Sequence, residues 1–135
     1  DTYVATSSAI EYAVHVLKVE NIIVCGHSNC GGCRALYSDR LQNQLPLTRK
    51  WLELAAPVKK LVKAKILNEK LKPCRRDMLT EQLNVVEQIN HLLTFPYIKE
   101  RYVKGELNIM GWYYVIEKGE VYNYSHDNQV FERIE

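Results

Sequence analysis

The feature that most constrains the fold is a short apolar run that ends in a glycine-rich turn. Residues 22–25 are IIVC, and such a continuous run is typical of a strand that is buried on both faces in a parallel sheet. Gly26 ends this run, and residues 33–41 resemble the start of a helix. The turn at residues 27–32 therefore lies at the carboxyl end of a strand and the amino end of a helix, where α/β proteins commonly bind ligands.

The segment before this strand predicts an amphipathic helix. Ser8 followed by Glu11 has the spacing of a capping box, which predicts that the helix begins near Ser8. Its apolar residues recur three and four positions apart, at Ile10, Ala13, Val14 and Leu17. A helix followed directly by a buried strand indicates the α/β class.

The remainder of the chain changes from helical to strand-like patterning. Residues 47–71 predict one or two helices interrupted near Pro57, and residues 77–94 predict a long helix followed by a shorter one. Aromatic and β-branched residues on either side of Lys118 and Gly119 predict a hairpin, while the tail from residue 125 is ambiguous. The predicted fold is α/β, with a parallel core flanked by helices and an antiparallel hairpin at its C-terminal edge.

The sheet predicted from these segments is incomplete. A strand as apolar as residues 22–25 needs neighbours on both sides, but only two weaker candidate strands follow it. The chain also begins with Asp1 rather than with methionine. We therefore expect residues 1–135 to form a single domain that is truncated at its N-terminus.

Composition and charge disfavour two classes of partner. No apolar run approaches the ~18 residues that a membrane span requires, so we expect no membrane partner. The net charge is only +2, although the segment from Lys59 to Arg76 contains eight basic residues and one acidic residue. No aromatic side chains are interleaved with these charges, so we interpret the segment as a solvated helix face and expect no nucleic-acid partner.

Three interpretations of the turn follow from residue spacing alone. His27 and Cys30 are three positions apart, close enough for an imidazole and a thiolate to bind one Zn²⁺ ion, although zinc needs further ligands. Cys30 and Cys33 form a C-x-x-C pair at a helix start, which is typical of thiol redox motifs. The glycines also suit a tight turn in which the cysteines are small buried hydrophobes. Three cysteines within nine residues suit metal or thiol chemistry in a reducing, cytoplasmic setting rather than a disulfide framework.

Three blocks of the sequence together resemble the β-class carbonic anhydrases. Residues 8–32 contain GHSNCGG, similar to the G-H-S-x-C-G-G motif of that family. Residues 81–98 resemble a family helix, and residues 105–124 resemble its terminal hairpin. The helix matches at Glu81, Asn84, Val85 and Gln88, and the hairpin matches at Gly105, Leu107, Ile109, Gly111, Trp112, Tyr114, Ile116 and Gly119.

The resemblance implies a site, a reaction and an assembly. His27 and Cys30 would bind zinc, and Gly31 and Gly32 would lie beside the metal, where a backbone N–H meets a substrate oxygen. Cys33 stands at a position that varies in the family, so it is not expected to be a ligand. The implied reaction is the reversible hydration of CO₂ to bicarbonate and a proton, in a homodimer or homotetramer.

The resemblance also shows what the chain lacks. The family's remaining zinc-binding Cys and its catalytic Asp and Arg occur as C-x-D-x-R, and no such motif exists in this sequence. We expect that motif upstream of residue 1, and we expect residues 1–135 alone to bind zinc weakly and to have little activity. The alternative function is a non-enzymatic zinc-binding or thiol-redox module that uses Cys30 and Cys33.

Overall fold

The computed structural model of the protein describes residues 4–135. The helices are α1 (Ala5–His15), α2 (Gly31–Ala35), α3 (Asp39–Gln44), α4 (Pro46–Leu52), α5 (Ala56–Asn68), α6 (Arg76–Leu92) and α7 (Pro96–Val103), with 3₁₀ turns at Glu53–Ala55 and Pro73–Arg75. The strands are β1 (Asn21–His27), β2 (Asn108–Val115), β3 (Glu120–Ser125) and β4 (Val130–Arg133). None of the helices in this part of the chain combines the length and apolar character that a membrane crossing requires.

The four strands form one mixed sheet in the order β1-β2-β3-β4. β1 and β2 are parallel, with Ile22 opposite Ile109, whereas β3 and β4 each run antiparallel to the strand before them. The turn before β3 contains Gly119 at a φ of +64°, a left-handed conformation that favours glycine. The predicted fold class and the hairpin are confirmed, and the ambiguous tail supplies β4 as a fourth strand.

The prediction that β1 is buried on both faces is wrong for the described chain. β1 lies at the edge of the sheet, and its residues alternate between half-buried and exposed. Ile22 and Val24 pack against the core, whereas Ile23 is 45% exposed and Cys25 is also exposed. The helices pack on one face of β1, and within residues 4–135 no element buries the other.

The predicted start of the first helix is also wrong. α1 begins at Ala5, and Val4 precedes it without a side-chain hydrogen bond. The Ser8 N–H donates to the Val4 carbonyl at 2.8 Å, so Ser8 already lies within the helix and is not its cap. Of the predicted apolar stripe, only Val14 is fully buried. Because α1 ends at His15, Leu17 lies beyond the helix and is 61% exposed.

The helix predicted after the turn is divided into two. Residues 33–41 are shared between α2 and α3, which are separated at Ser38, whose Oγ accepts a hydrogen bond from the Leu41 N–H at 3.3 Å. The expected break near Pro57 is the 3₁₀ turn before α5. Pro57 itself lies in the first turn of α5, where its missing N–H costs no helical hydrogen bond.

α6 is the central helix, and two glycines let it lie close to the sheet. A Cβ on Gly26 of β1 would come within 2.6 Å of Val85 Cγ2, and one on Gly111 of β2 within 3.0 Å of Ile89 Cδ1. Val85 and Ile89 belong to the core cluster beneath the sheet, which also includes Val14. The close approach brings the first half of α6 next to the turn that follows β1.

Candidate functional site

The strand-to-helix turn brings His27 and Cys30 to its two ends. His27 is the last residue of β1, and Cys30 directly precedes α2 as its N-cap. The Ser28 N–H donates to the Tyr114 carbonyl at 2.9 Å, which keeps the chain bonded to β2 past the end of the strand. Asn29 then reverses the chain with a φ of +55°. The structure therefore places both predicted ligands on one short turn.

The environment of His27 fixes which ring nitrogen is available to a ligand. Its Nδ1 lies 2.8 Å from the Ser28 carbonyl oxygen. A carbonyl oxygen only accepts hydrogen bonds, so Nδ1 carries a proton, and in the neutral ring Nε2 then keeps a free lone pair. Metal-binding histidines have this arrangement, in which one nitrogen donates to a carbonyl or carboxylate and the other binds the metal.

Cys30 offers a free sulfur at the start of α2. Its Sγ accepts a hydrogen bond from the Cys33 N–H at 3.5 Å, and the thiol is half-buried. Gly31 and Gly32 form the first turn of α2, where backbone N–H groups lack acceptors within the helix. A Cβ on Gly31 would meet no atom within 4 Å, so the backbone there borders open space. The roles of both glycines in binding substrate stay predictions.

Among the described residues, the site contains two candidate ligands but no third. Within residues 4–135, no three His, Cys, Asp or Glu side chains group together in a way that could hold a metal ion. His27 and Cys30 fit one side of a zinc site, because the histidine presents a free nitrogen and the cysteine a free sulfur. Catalytic zinc is usually held by three protein ligands, so these two residues form part of a site rather than a complete one.

A carboxylate from the hairpin holds the middle of the turn. Glu117 accepts hydrogen bonds from the Ser28 hydroxyl, at 2.9 Å, and from the Asn29 side-chain amide. The same hydroxyl accepts the Ile116 N–H at 2.9 Å, so Ser28, only 8% exposed, is fully bonded. Hydrogen bonds from its own backbone N–H and from Ser28 lower the pKa of Glu117.

A second carboxylate, buried in α6, holds the end of the turn. Glu81 is 4% exposed, and its Oε2 accepts the Cys30 N–H at 2.8 Å. Its Oε1 accepts the Tyr113 hydroxyl, also at 2.8 Å. Burial, followed by the hydrogen bond to Glu81, raises the pKa of Tyr113, so the phenol stays protonated and keeps donating at neutral pH. Sequence reasoning matched Glu81 to a family helix but gave neither Glu81 nor Glu117 a role.

The comparisons with known proteins agree with this geometry. The sequence model of the carbonic anhydrase family matches residues 1–121. The fold superposes on the β-carbonic anhydrase CcaA with a TM-score of 0.86 at 34% identity, over 95% of this chain and 62% of that one. The chain belongs to the β-class carbonic anhydrases.

Other members of the family are similarly close. A carbonic anhydrase from Helicobacter pylori strain J99 is 37% identical in an alignment that covers 97% of this chain. This chain spans 60% of the length of that relative. A structure described as one of two tetrameric β-carbonic anhydrases from Sordaria macrospora is 32% identical, with a TM-score of 0.74 over 90% of this chain and 60% of that one.

Cys33 of this β-carbonic anhydrase chain is placed as a core residue. It is 8% exposed, and burial, followed by the neighbouring Cys30, raises the pKa of its thiol to about 12. Thiol–disulfide exchange requires a thiolate, and such a thiol is protonated at neutral pH. Any thiol chemistry of this pair would therefore start at Cys30, and the redox interpretation stays a prediction.

A cleft of 340 Å³ opens beside the turn of this β-carbonic anhydrase chain. Cys30, Gly32 and Trp51 of α4 are among its lining residues. Asn84 and Gln88 of α6 contribute the polar part of a lining that is otherwise mainly apolar. The cleft therefore gives a small, weakly polar molecule access to the candidate ligand Cys30.

Proposed function

We propose that the protein to which this chain belongs catalyses the zinc-dependent, reversible hydration of CO₂ to bicarbonate and a proton. The observation that carries the proposal is the turn itself, where His27 presents a free Nε2 and Cys30 a free Sγ in a β-class carbonic anhydrase fold. Zinc, when bound, supplies a Lewis acid that makes water a nucleophile at neutral pH.

The proposal assigns a task to each residue around the turn. His27 and Cys30 hold the metal. The N–H groups of Gly31 and Gly32 bind and orient a substrate oxygen, because no helical acceptor competes for them. The mainly apolar cleft that includes Trp51 favours entry of the apolar CO₂ molecule.

We also propose that residues 1–135 alone bind zinc weakly and hydrate CO₂ poorly. The described part of the chain groups only two candidate ligands, whereas catalytic zinc needs three and a water. The remaining Cys, with an Asp and an Arg, would come from a C-x-D-x-R segment of the whole protein. The four free cysteines of the described chain support a reducing setting.

A homo-oligomer, dimeric or tetrameric, is part of the proposal. One similar protein, from Sordaria macrospora, is described as tetrameric. In this chain, the side chains of Tyr12, Val16, Leu17 and Ile23 on α1, β1 and their connection are 45–61% exposed, which leaves apolar surface near the free edge of the sheet. Such surface is typical of protein interfaces.

The test of the proposed function is CO₂ hydration in the whole protein. We expect stopped-flow hydration and stoichiometric zinc in the wild type, and loss of both in His27→Ala and Cys30→Ser, because each substitution removes a ligand. Cys25→Ser serves as the matched control, since Cys25 is exposed on the strand and hydrogen bonds only to the neighbouring Gly26 carbonyl. Full zinc content in either ligand variant would contradict the assignment.

A further inference from the structure

We propose that Glu81 is a positioning residue for the zinc ligand Cys30, acting through the Cys30 backbone N–H. The role depends on the proposed function, because it takes Cys30 as a ligand. Glu81 itself contacts neither substrate nor metal. It holds Cys30, which binds the metal.

The contacts of Glu81 tie three elements together at the end of the turn. Its carboxylate, carried by α6, bonds the Cys30 N–H with one oxygen and the Tyr113 hydroxyl of β2 with the other, both at 2.8 Å. The side chain is 4% exposed, so water competes little for these two bonds. Two donors from different elements leave the carboxylate a single orientation.

The position of α6 makes this contact possible. Gly26 of β1 lies so close to α6 that a Cβ there would come within 2.6 Å of Val85 and within 3.4 Å of the Glu81 carbonyl oxygen. Val85 is one helical turn after Glu81 on the same face. Gly26, which ends the apolar run, therefore also allows Glu81 to lie within reach of the turn.

The charge pattern around Glu81 agrees with a role directed at the turn. The ion pairs formed by the described residues do not include Glu81. A carboxylate buried in the core without a cation partner is costly, and proteins retain such groups where they serve a specific structure. The strong hydrogen bond that it makes points at the backbone of a candidate ligand.

The physical effect expected is preorganisation. Cys30 sits at the N-cap with φ −75° and ψ 114°, a conformation that sets the direction of its side chain. Holding its N–H fixes that conformation before metal binds, so less freedom is lost on binding. Residues that orient metal ligands typically contribute about 10- to 100-fold to metal affinity.

Four versions of the whole protein test this role: the wild type and its Glu81→Ala, Glu81→Gln and Thr80→Val variants. Thr80 is the matched control, since it is fully buried beside Glu81 but bonds Tyr37 and the Arg76 carbonyl instead of the turn. Zinc affinity is measured by competition with a chromophoric chelator. Thermal unfolding is followed in parallel, and the cobalt-substituted forms report the cysteine-to-cobalt charge-transfer band.

We expect Glu81→Ala to weaken zinc binding about 10- to 100-fold. Thr80→Val should keep a zinc affinity within about threefold of wild type. This substitution removes the buried hydrogen bonds of Thr80 but leaves those of Cys30 intact. Glu81→Gln should lose less affinity than Glu81→Ala but shift the cobalt band, since its amide still accepts from Cys30 while Tyr113 can rotate to accept from the amide nitrogen.

The outcomes separate this role from the proposed function. A wild-type protein that binds no zinc overturns both. A wild-type protein that binds zinc, with Glu81→Ala no weaker than Thr80→Val, overturns the role of Glu81 alone. If Glu81→Ala does not fold, Glu81→Gln decides: unchanged affinity together with an unchanged cobalt band overturns the role.

Discussion

At the scale of single residues, two carboxylates hold the turn that carries His27 and Cys30. Glu117 bonds Ser28 and Asn29 in the middle of the turn, and Glu81 bonds the Cys30 N–H at its end. Both come from distant parts of the chain, 89 residues from Ser28 and 51 residues from Cys30. The turn is therefore ordered by tertiary contacts as well as by its own sequence.

We expect the stability of the fold to depend on pH through Glu117. The pKa of Glu117 is lower in the folded protein, so its stabilising contribution is present above the ordinary carboxyl pKa and is lost as the pH falls through the folded value. We expect Glu117→Gln to unfold at a lower temperature than wild type at pH 7. The gap should narrow towards pH 3 in thermal unfolding followed by circular dichroism. A gap that is constant or widens with acid would be inconsistent with the contacts of Glu117.

Residue identities in the site were only partly predictable from sequence. His27 and Cys30 are predicted as ligands because their spacing and the motif that they match are both local along the chain. Glu81 and Glu117 were missed as positioning groups because their partners lie far away in sequence, and no local pattern reports such a contact. The burial of Cys33 could not be predicted from its C-x-x-C spacing, because burial depends on tertiary packing.

At the scale of elements, the close packing of α6 against β1 and β2 sets the geometry of the site. The predicted range of α6 was nearly correct, because its apolar stripe packs on the core along the helix. The start of α1 was wrong because helical hydrogen bonds extend three residues before Ser8. β4 could not be assigned from its own short segment, since its pairing with β3 defines it.

An element-scale prediction follows from the contact at Gly26. We expect Gly26→Ala to lower the free energy of unfolding by about 1–3 kcal/mol, because its Cβ would overlap Val85 Cγ2. Urea unfolding measures the change. The double variant with Val85→Ala should recover part of the overpacking loss after allowance for the cavity of Val85→Ala alone.

Gly31→Ala is the matched control for this effect. It adds the same methyl group where no atom lies within 4 Å, so stability should be equal to or slightly above wild type. A Gly26→Ala protein as stable as Gly31→Ala would show that α6 does not depend on close contact with β1.

At the scale of the whole molecule, the described chain has one open side. β1 is at the edge of the sheet with one face exposed, and apolar residues of α1 lie nearby. The chain also spans 60% of the length of the Helicobacter pylori relative. The sequence predicted that the sheet is incomplete beside the apolar strand, but it did not predict which face of β1 the helices would cover.

The molecule-scale prediction is self-association of residues 1–135 through this side. Light scattering after size exclusion should give a mass above 15.7 kDa that falls when Ile23, 45% exposed on β1, is replaced by lysine. A charged side chain on an edge strand opposes pairing between copies. Val130→Lys, at a residue 49% exposed on β4 at the opposite edge of the sheet, should leave the mass unchanged. A monomer at every concentration tested would refute this association.

The central claim is that His27 and Cys30 together hold zinc, and X-ray absorption at the zinc edge of the whole protein tests it most directly. We expect nitrogen scattering at ~2.0 Å and sulfur scattering at ~2.3 Å. After reconstitution with added zinc, Cys30→Ser should show one sulfur fewer at the metal and His27→Ala one imidazole fewer, whereas Cys33→Ser should change neither. A spectrum that keeps its sulfur count in Cys30→Ser, or loses sulfur in Cys33→Ser, would contradict the assignment.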